Sequence, residues 1–391
     1  MTKRRLYAAF ELLRVQPFFL RMYFRDSCLI LHMRMLWRHH IGAPEVKLIK
    51  KVAIISLSSG ILGEPFVRHE VKIGMKRLHD YGLEVVTTEN ALKGMTYLSE
   101  HPESRAEDLL TALRDKSVDM ILCAIGGDDT YRLLPYLFEN NELTNAVKAN
   151  KKIFLGYSDT TVNHFMLHKA GLHTFYGQAF LPDICELGNE MLPYTSKYFE
   201  ELIRTGTIRE IRPSEYWYEE RKAFDESQIG VPKNKHKNSG FELLQGSATF
   251  NGQILGGCIE SVYDMLDNSR YSDTVDLCKK YNLFPTQDDW TDKILLLESS
   301  EAKAPPELYK KMLIKLKETG IFSVIKGIIV GKPMDEAYYN DYKKMLIEIA
   351  ADSNLPIVYN VNIGHSSPKC IIPFGVTAYV DTREQVIRFE E

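Results

Sequence analysis

The sequence predicts an α/β fold built on parallel sheets, and two observations support this prediction. From Lys51 onward, short apolar runs alternate with stretches of helical periodicity, which is the pattern of right-handed crossovers between parallel strands. A second unit with the same alternation begins near Ser247, after a charged stretch in which the periodicity weakens. Because 391 residues exceed what one ordinary core holds, we expect two main folding units.

The first unit is predicted to span residues 51–181. Its first helix is expected to stop near Gly82, because glycine is common just after a helix end. Parallel sheets carry their chemistry in the loops beyond the carboxyl ends of the strands, so those loops are where functional residues are expected. The predicted elements are strands Val52–Leu57, Glu84–Thr87, Asp119–Ala124 and Lys152–Leu155, and helices at residues 103–116 and from Thr130 onward.

The second unit is predicted to span residues 247–391, and residues 182–246 are predicted to be a linker or a surface insertion. Within that insertion, residues 213–240 are rich in charge and contain the aromatic run Tyr216–Tyr218. The elements expected in the second unit are strands at residues 248–255, 294–297, 325–330, 357–361, 376–380 and 386–389, and helices at residues 259–266, 307–318 and 341–350.

Composition and charge are typical of a globular protein of the cytoplasm. Hydrophobic residues make up 45% of the chain and charged residues 26%, and a net charge of −3 argues against nucleic acid as the main partner. The six cysteines form no C-x-x-C pair, which favours reduced, mostly buried thiols over zinc ligands or disulfides.

The N-terminal extension, residues 1–50, differs from this average because it is basic. Residues 1–40 hold eight Lys and Arg residues against two acidic ones. Its apolar runs are interrupted by Arg or His well before the roughly 18 residues that a membrane span requires, and it shows no secretory pattern. We therefore expect a poorly ordered extension, no stable membrane insertion and a cytoplasmic location.

A candidate nucleophile lies where a buried strand runs into a helix. The sequence Gly156-Tyr157-Ser158-Asp159 follows the strand that ends near Leu155. A serine on such a turn presents its hydroxyl at the end of the strand, where the N–H groups of the new helix can stabilise a developing oxyanion. The alternative is a Ser-Asp helix cap without a catalytic role, which is common before helices.

One strand earlier, the chain passes through Gly126-Gly127-Asp128-Asp129. Paired glycines let backbone N–H groups approach a ligand closely, so this loop is a candidate anion cradle or oxyanion donor. It lacks the Lys and Ser/Thr of a Walker loop, which gives nucleotide binding through that motif weak support. A simple turn is the alternative.

A serine nucleophile needs a base and a group that orients the base. His365 stands out among eleven histidines because it follows a predicted strand, in a Gly-His-Ser-Ser-Pro loop. Glu298 closes another apolar strand and suits the orienting role, although strand-ending carboxylates are often only turn or cap residues. His164 and His168 are spaced like zinc ligands, but no glutamate or third ligand accompanies them, so packing is the preferred interpretation.

Taken together, several of these motifs resemble the LD-carboxypeptidase family, and most of all its branch of microcin C self-immunity peptidases. The resemblance runs from about Lys51 to the C-terminus. The motifs that carry it are Ala124-Ile-Gly-Gly-Asp-Asp-Thr130, Phe154-Leu-Gly-Tyr-Ser-Asp-Thr-Thr161, Thr174-Phe-Tyr-Gly177, Leu255-Gly-Gly-Cys258, Leu296-Leu-Glu-Ser-Ser-Glu301 and Tyr359-Asn-Val-Asn-Ile-Gly-His365.

The resemblance implies a serine peptidase with Ser158 as nucleophile, His365 as base and Glu298 as the orienting acid. It also implies an oxyanion hole formed by the N–H groups of Gly127 and Asp159, with no metal or cofactor. A homodimer is implied, with a smaller C-terminal α/β domain whose loops complete the triad across a cleft.

Candidate substrate contacts are Gly126, Asp128 and Trp217. Immunity-type members resemble this chain in having an aromatic insert, so Trp217 is expected either to stack on a nucleobase or merely to pack the insertion. The expected substrate is a small peptide or a peptidyl-nucleotide.

Three alternatives stay open. A murein-recycling member of the family would cleave a tetrapeptide at its free carboxylate end. An α/β-hydrolase esterase shares the order Ser, Glu, His, although Thr160 stands where that fold usually needs glycine. A protein without catalytic activity would use the glycine loop and helix N-termini to hold an anionic ligand.

Overall fold

A computed structural model describes residues 48–390 of the chain. Apart from residues 48–50, the predicted basic extension therefore lies outside the described residues. Within residues 48–390, no helix is long and apolar enough to cross a membrane. The five cysteines of this range are all free and buried, which confirms the expectation of reduced thiols for this part of the chain.

The described residues form sixteen strands and twelve α-helices. The strands are β1 (Lys51–Ile55), β2 (Glu84–Thr87), β3 (Met120–Cys123), β4 (Ile153–Gly156), β5 (Phe175–Tyr176), β6 (Glu210–Ile211), β7 (Tyr216–Tyr218), β8 (Lys235–Lys237), β9 (Glu242–Gln245), β10 (Thr249–Cys258), β11 (Lys293–Glu298), β12 (Gly327–Gly331), β13 (Ile357–Val361), β14 (Ile372–Pro373), β15 (Thr377–Asp381) and β16 (Val386–Glu390). The helices are α1 (Arg68–Asp80), α2 (Gly94–Glu100), α3 (Pro102–Arg114), α4 (Leu134–Phe138), α5 (Glu142–Ala149), α6 (Thr161–Lys169), α7 (Pro193–Thr205), α8 (Ile259–Asp264), α9 (Thr274–Lys280), α10 (Gln287–Trp290), α11 (Pro306–Glu318) and α12 (Tyr339–Ile349).

The first sheet has six strands in the order β14-β5-β4-β3-β1-β2. Strands β1 to β5 run parallel to their neighbours, as the alternation of strands and helices predicts. The all-apolar β3 is fully buried, because helices cover both faces of such a sheet. Strand β14 adds to the edge in the antiparallel direction, so a segment from near the C-terminus completes the N-terminal sheet.

The second sheet has eight strands in the order β6-β16-β15-β10-β11-β12-β13-β9. Its centre, β10 to β13, is parallel, and the flanking strands are antiparallel. Two parallel-strand sheets with helices confirm the predicted mixed α/β fold. The carboxyl ends of β11 and β13 carry the loops that matter for the site.

The segment predicted as a linker or insertion, residues 182–246, contains regular structure. It holds the helix α7 and supplies β6 and β9, which lie at the two edges of the second sheet. It also forms a separate two-stranded sheet in which Trp217 pairs with His236. The N–H of Tyr218 donates to the Ser367 carbonyl at 2.9 Å, so this small sheet contacts the loop that carries His365.

Candidate active site

Ser158 lies on a tight turn between β4 and α6. It adopts φ +65°, a left-handed conformation that is unfavourable for a residue with a side chain. The buried strand before it and the 3₁₀ turn Ser158–Thr160 after it fix this conformation. Such strain concentrates at functional sites, and here it presents the hydroxyl at the carboxyl end of the first sheet.

Ser158, His365 and Glu298 lie in one hydrogen-bonded chain. His365 Nε2 is 3.0 Å from Ser158 Oγ, and His365 Nδ1 is 2.8 Å from Glu298 Oε2. The same carboxylate oxygen accepts from the backbone N–H of His365 at 3.2 Å. Glu298 ends β11 and His365 follows β13, so the loops of the second sheet bring both side chains to Ser158 on the first sheet.

Close packing at a glycine makes this approach possible. A Cβ atom on Gly364, which adopts φ +87°, would lie 2.3 Å from Glu298 Oε2. The backbone before His365 can therefore pass directly over the Glu298 carboxylate only because residue 364 lacks a side chain. This explains physically why the Gly-His pair belongs to the site.

The environment of His365 favours the charged imidazolium. Burial acts to lower the pKa of His365, but the negative charges and hydrogen bonds of Glu298 and Glu301 outweigh it and raise this pKa to about 10. The ring also packs edge-on against Tyr157, with 5.0 Å between the ring centroids. In the free protein the imidazole is therefore held protonated between two carboxylates.

Glu301 also contacts His365, although the sequence pattern did not predict a role for it. Its Oε2 atom lies 3.0 Å from His365 Nε2, although 67% of the Glu301 side chain is exposed. The hydrogen bond to His365 is the main cause that lowers the pKa of Glu301 to about 2. The only sequence signal was its place in the Leu-Glu-Ser-Ser-Glu motif, where a strand-end turn gives no information on side-chain direction.

Tyr176 links the acid to the nucleophile turn. Its hydroxyl donates to Glu298 Oε1 at 2.7 Å and accepts from the Ser158 N–H at 3.2 Å. Burial, reinforced by the charge of Glu298, raises the pKa of Tyr176 well above its ordinary value, so the hydroxyl keeps its proton. Tyr176 thus leaves the other oxygen of Glu298 for His365.

The two predicted oxyanion donors lie on the glycine loop and on the turn that carries Ser158. Within residues 48–390, the N–H groups of Gly127 and Asp159 donate to no backbone carbonyl. A Cβ on Gly126 would lie 2.6 Å from Ser158 Oγ and 3.2 Å from the Asp159 nitrogen, which shows how closely the glycine loop approaches the turn. The Asp159 N–H, directly after Ser158, and the Gly127 N–H, directly after Gly126, thus have no backbone partner where the two loops meet.

The Asp159 side chain ties the two loops together. Its Oδ2 atom accepts from Ser58 Oγ at 2.5 Å and from the Thr130 N–H at 3.0 Å. Burial raises the pKa of Asp159 to about 6, and these hydrogen bonds oppose that effect. The carboxylate thus holds the loops in position. The backbone N–H of Asp159 is then the group of this residue that can contact a ligand.

The site opens into a cavity of about 760 Å³. Two phenylalanines on its lining are unusually accessible: Phe66 is 58% exposed and Phe224 is 50% exposed. Two lysines that line it are nearly buried and paired, Lys369 with Asp183 at 2.8 Å and Lys233 with Glu220 at 2.8 Å. The lining residues nearest to the chemistry are Gly126, Gly127, Tyr157, Ser158, Glu301 and His365.

Two of the predicted substrate contacts lie elsewhere. Trp217 is only 7% exposed, is stacked on His236 at 4.5 Å, and does not line this cavity. Asp128 is exposed, faces Arg270 at 3.9 Å, and lines a neighbouring depression of about 500 Å³. Of the three candidates, only Gly126 borders the main cavity.

The remaining predicted histidine and metal candidates have structural explanations. His164 is buried, and its ring nitrogens lie 2.7 Å from Thr174 Oγ1 and 3.1 Å from the Gly156 carbonyl oxygen, which confirms a packing role. Cys258, Glu298 and His365 place possible ligand atoms within 4.8 Å of one another. All three groups already have hydrogen-bond partners, since Cys258 Sγ lies 3.2 Å from Glu260 Oε2 and Glu298 contacts both Tyr176 and His365.

Comparison with protein families gives a match on both sides of the site. The sequence model of the LD-carboxypeptidase N-terminal domain matches residues 52–177, which include Ser158. The model of the LD-carboxypeptidase C-terminal domain matches residues 251–380, which include Glu298 and His365.

Individual relatives agree with this match. The chain is 24% identical to the microcin C7 self-immunity protein MccF of Escherichia coli, over 81% of this chain and 87% of that protein. A crystal structure of an MccF-like protein from Streptococcus pneumoniae in complex with AMP is 60% identical, has a TM-score of 0.86, and covers 88% of this chain and 99% of its own. An MccF-like protein from Bacillus anthracis is 26% identical, with a TM-score of 0.71, and covers 88% of this chain and 98% of its own.

Proposed function

Since the chain belongs to the LD-carboxypeptidase family of serine peptidases, we propose that Ser158, His365 and Glu298 are its catalytic triad. The observation that carries the proposal is the continuous chain of contacts from Ser158 Oγ through both ring nitrogens of His365 to Glu298 Oε2, at 3.0 and 2.8 Å. Ser158 and His365 are 207 positions apart in the sequence, and Glu298 and His365 are 67 apart, yet their side chains meet at hydrogen-bonding distance. This is the geometry in which a histidine base and its orienting acid activate a serine.

In the proposed reaction, Ser158 Oγ attacks the scissile carbonyl carbon while neutral His365 takes the hydroxyl proton at Nε2. The C–N bond then breaks, and the departing amine takes that proton from the imidazolium. Water, deprotonated by the same nitrogen, then attacks the acyl-serine carbonyl. The ester C–O bond breaks, Ser158 Oγ takes the proton back from the imidazolium, and the acid is released. Glu298 keeps Nδ1 protonated and the ring oriented throughout.

The N–H groups of Gly127 and Asp159 are the proposed oxyanion donors. They belong to the two loops that meet at Ser158, and neither has a backbone carbonyl partner in residues 48–390. A preorganised donor of this kind typically contributes about 3 kcal/mol to transition-state stabilisation. Since these are backbone groups, only substitutions that displace the loop, such as those at Gly126, would remove them.

For the substrate, we propose a peptidyl-nucleotide or a small peptide. The relative that is 60% identical to this chain was crystallised with AMP. The exposed rings of Phe66 and Phe224 on the cavity supply the flat apolar surface that a base requires, and stacking of a base on an aromatic ring contributes about 1–3 kcal/mol. These rings, rather than the buried Trp217, are the proposed stacking surface.

The test is product release from two substrates, a peptidyl-adenylate of microcin C type and an LD-linked murein tetrapeptide. Wild type should cleave the first and Ser158→Ala should cleave neither. The matched control, Ser323→Ala, removes an exposed hydroxyl and should behave as wild type. Cleavage of the tetrapeptide alone would assign the chain to murein recycling. Full turnover by Ser158→Ala would refute the serine mechanism, and binding without turnover by wild type would favour a ligand-binding protein.

The family resemblance also leads us to propose a homodimer located in the cytoplasm. Sedimentation velocity of the purified full chain should give a single species of twice the monomer mass, since the monomer mass is 45.0 kDa. Cell fractionation should recover the protein in the soluble fraction. A monomer in sedimentation, or recovery with membranes, would contradict these two proposals separately.

A further inference from the structure

Glu70 is a buried acid that the proposed mechanism does not use. It lies in the first turn of α1 and lines the same cavity as Ser158 and His365. The residue is 8% exposed, and what remains accessible of it faces the cavity. Within residues 48–390, no hydrogen bond or ion pair to this carboxyl is formed.

An acid in this position is energetically unusual. Burial raises the pKa of Glu70 to about 7; His69 opposes this shift and Glu186 adds to it. Buried carboxyls are ordinarily paired, because removal of a charged or polar group from water is costly when nothing replaces the water. A cavity-facing carboxyl without a protein partner is therefore a candidate contact for a ligand.

Three cations on α1 or on the cavity lining are engaged by groups other than Glu70. Arg77 donates to the backbone carbonyls of residues 184, 186 and 188. Arg221 and Lys233 both pair with Glu186. Within residues 48–390 none of these cations pairs with Glu70, which leaves its carboxyl available to a partner from outside the described chain.

The surroundings of Glu70 are apolar and aromatic. Phe66, Val67, Leu187 and Phe224 line the cavity with it. Residue 224 is held against α1, since its carbonyl oxygen lies 2.8 Å from Nε2 of His69. A flat or aliphatic group can thus pack on these walls while a donor on its edge reaches the carboxyl.

We propose that Glu70 binds a nitrogen hydrogen-bond donor of the substrate, either the exocyclic amine of a nucleobase or the side-chain amine of a diaminopimelate-type residue. The inference rests on the proposed function, because it assumes that the substrate fills this cavity. It adds a recognition residue remote from the triad and states the chemistry that this residue selects. A carboxylate accepts from an amine in either charge state and pairs most strongly with an ammonium.

The experiment measures binding at pH 8 in the Ser158→Ala background, so that turnover does not interfere. One ligand pair is AMP and its analogue that lacks the exocyclic amine. The other is a murein tetrapeptide and its derivative acetylated on the diaminopimelate side-chain amine. The variants are Glu70→Leu, which removes every acceptor, and Glu70→Gln, which keeps one oxygen. Glu100→Gln, at an exposed position of α2, is the control.

We expect Glu70→Leu to weaken binding of the amine-bearing member of one pair by about tenfold or more, while the member without a free amine changes less than about twofold. The affected pair identifies the source of the amine. Glu70→Gln should retain part of the affinity for a neutral amine and lose most of it for an ammonium. Equal losses for both members of each pair, no loss for either pair, or no binding of any ligand would overturn the proposal.

Failure of this inference and failure of the proposed function give different results. If wild type cleaves a substrate but Glu70 variants do not distinguish the amine-bearing ligand, only the role of Glu70 is wrong. If the amine-dependent loss is observed while wild type cleaves neither substrate, the recognition residue stands and the catalytic proposal falls.

Discussion

The Oε2 atom of Glu301 lies 3.0 Å from the Nε2 atom of His365. That nitrogen is also the one that faces Ser158 Oγ, so a carboxylate and the nucleophile share it. While Glu301 is in place, it stabilises the imidazolium, which cannot accept the serine proton. Because the Glu301 side chain is mostly exposed, a bound substrate can displace it into solvent at little cost.

This arrangement predicts a shift in pH dependence for Glu301→Gln. Activity requires neutral His365, so kcat/KM should rise with pH through the pKa of His365, which Glu298 and Glu301 hold near 10 in the free protein. Loss of the Glu301 charge lowers this pKa, and the rising limb should move to lower pH by at least about one unit. The measurement is a kcat/KM profile between pH 5 and 10.5.

Two other charged residues are unchanged in Glu301→Gln. Glu298 still raises the pKa of His365, and Arg270, which lowers the pKa of Glu301, is still present. Glu107→Gln, at an exposed position of α3, serves as the control. An unmoved rising limb in Glu301→Gln would show that Glu301 does not govern the protonation of His365. A near-complete loss of activity at every pH would instead make Glu301 a direct participant.

Tyr176→Phe should lower both kcat and stability. The substitution removes the donor to Glu298 Oε1 and the acceptor for the Ser158 N–H. We expect kcat to fall by about tenfold, and the free energy of unfolding by about 1–2 kcal/mol, since buried partners lose their hydrogen bonds. Tyr379→Phe, on an exposed tyrosine, is the control. Unchanged kcat with reduced stability would limit Tyr176 to a structural role.

Gly126→Ala should damage catalysis more than stability. The new Cβ would lie 2.6 Å from both Cβ and Oγ of Ser158, so the glycine loop or the serine has to move. Misplacement of a nucleophile by about 1 Å typically costs on the order of a hundredfold in rate. In Gly188→Ala the nearest atom would be 3.4 Å from the added carbon, which makes it the matched control. Equal kcat values for the two variants would contradict the proposed proximity.

Glu70→Gln should stabilise the free protein, and increasingly so as pH rises. The pKa of Glu70 is raised from 4.5 to about 7, so the folded wild type loses stability between these pH values as its carboxyl must ionise. The variant has no such loss, so its advantage should grow between pH 4.5 and 7 and level off above pH 7. Denaturant unfolding at pH 5 and pH 8 measures it. An equal difference at both pH values would show that Glu70 is solvated.

Much of the fold could be predicted because its strands are apolar runs closed by glycine or by helix caps. Strands β2 and β13 both have the predicted bounds. Strand β13 is buried along its whole length, whereas β2 is an edge strand whose residues are exposed or half-buried. Strand β14, with two residues, is too short to leave a pattern, and β6 and β9 lie in a charged segment. The contribution of these edge strands depends on long-range pairing, which local periodicity does not reveal.

Some residues of the site can likewise be predicted from local sequence, and others cannot. The turn at Ser158 follows from a strand running into a Gly-Tyr-Ser-Asp helix start, whereas Glu298 and His365 were singled out by their places at strand ends and by family resemblance. The contacts of Glu301, Tyr176 and Glu70 depend on side-chain direction in three dimensions. For Trp217, the sequence suggested a substrate contact, but the structure places the residue outside the cavity. The surrounding charged sequence does not indicate that His236 stacks on its ring.

The most direct test of the account is whether Ser158, His365 and Glu298 act as one unit. We predict that Ser158→Ala and His365→Ala each lower kcat by at least about a thousandfold, and that the triple variant with Glu298→Gln is no worse than the poorest single variant, because residues of a triad act non-additively. The measurement is kcat for the three single variants and the triple variant, on whichever substrate wild type cleaves. Near-wild-type turnover by any of the alanine variants, or losses that multiply in the triple variant, would contradict the proposed triad.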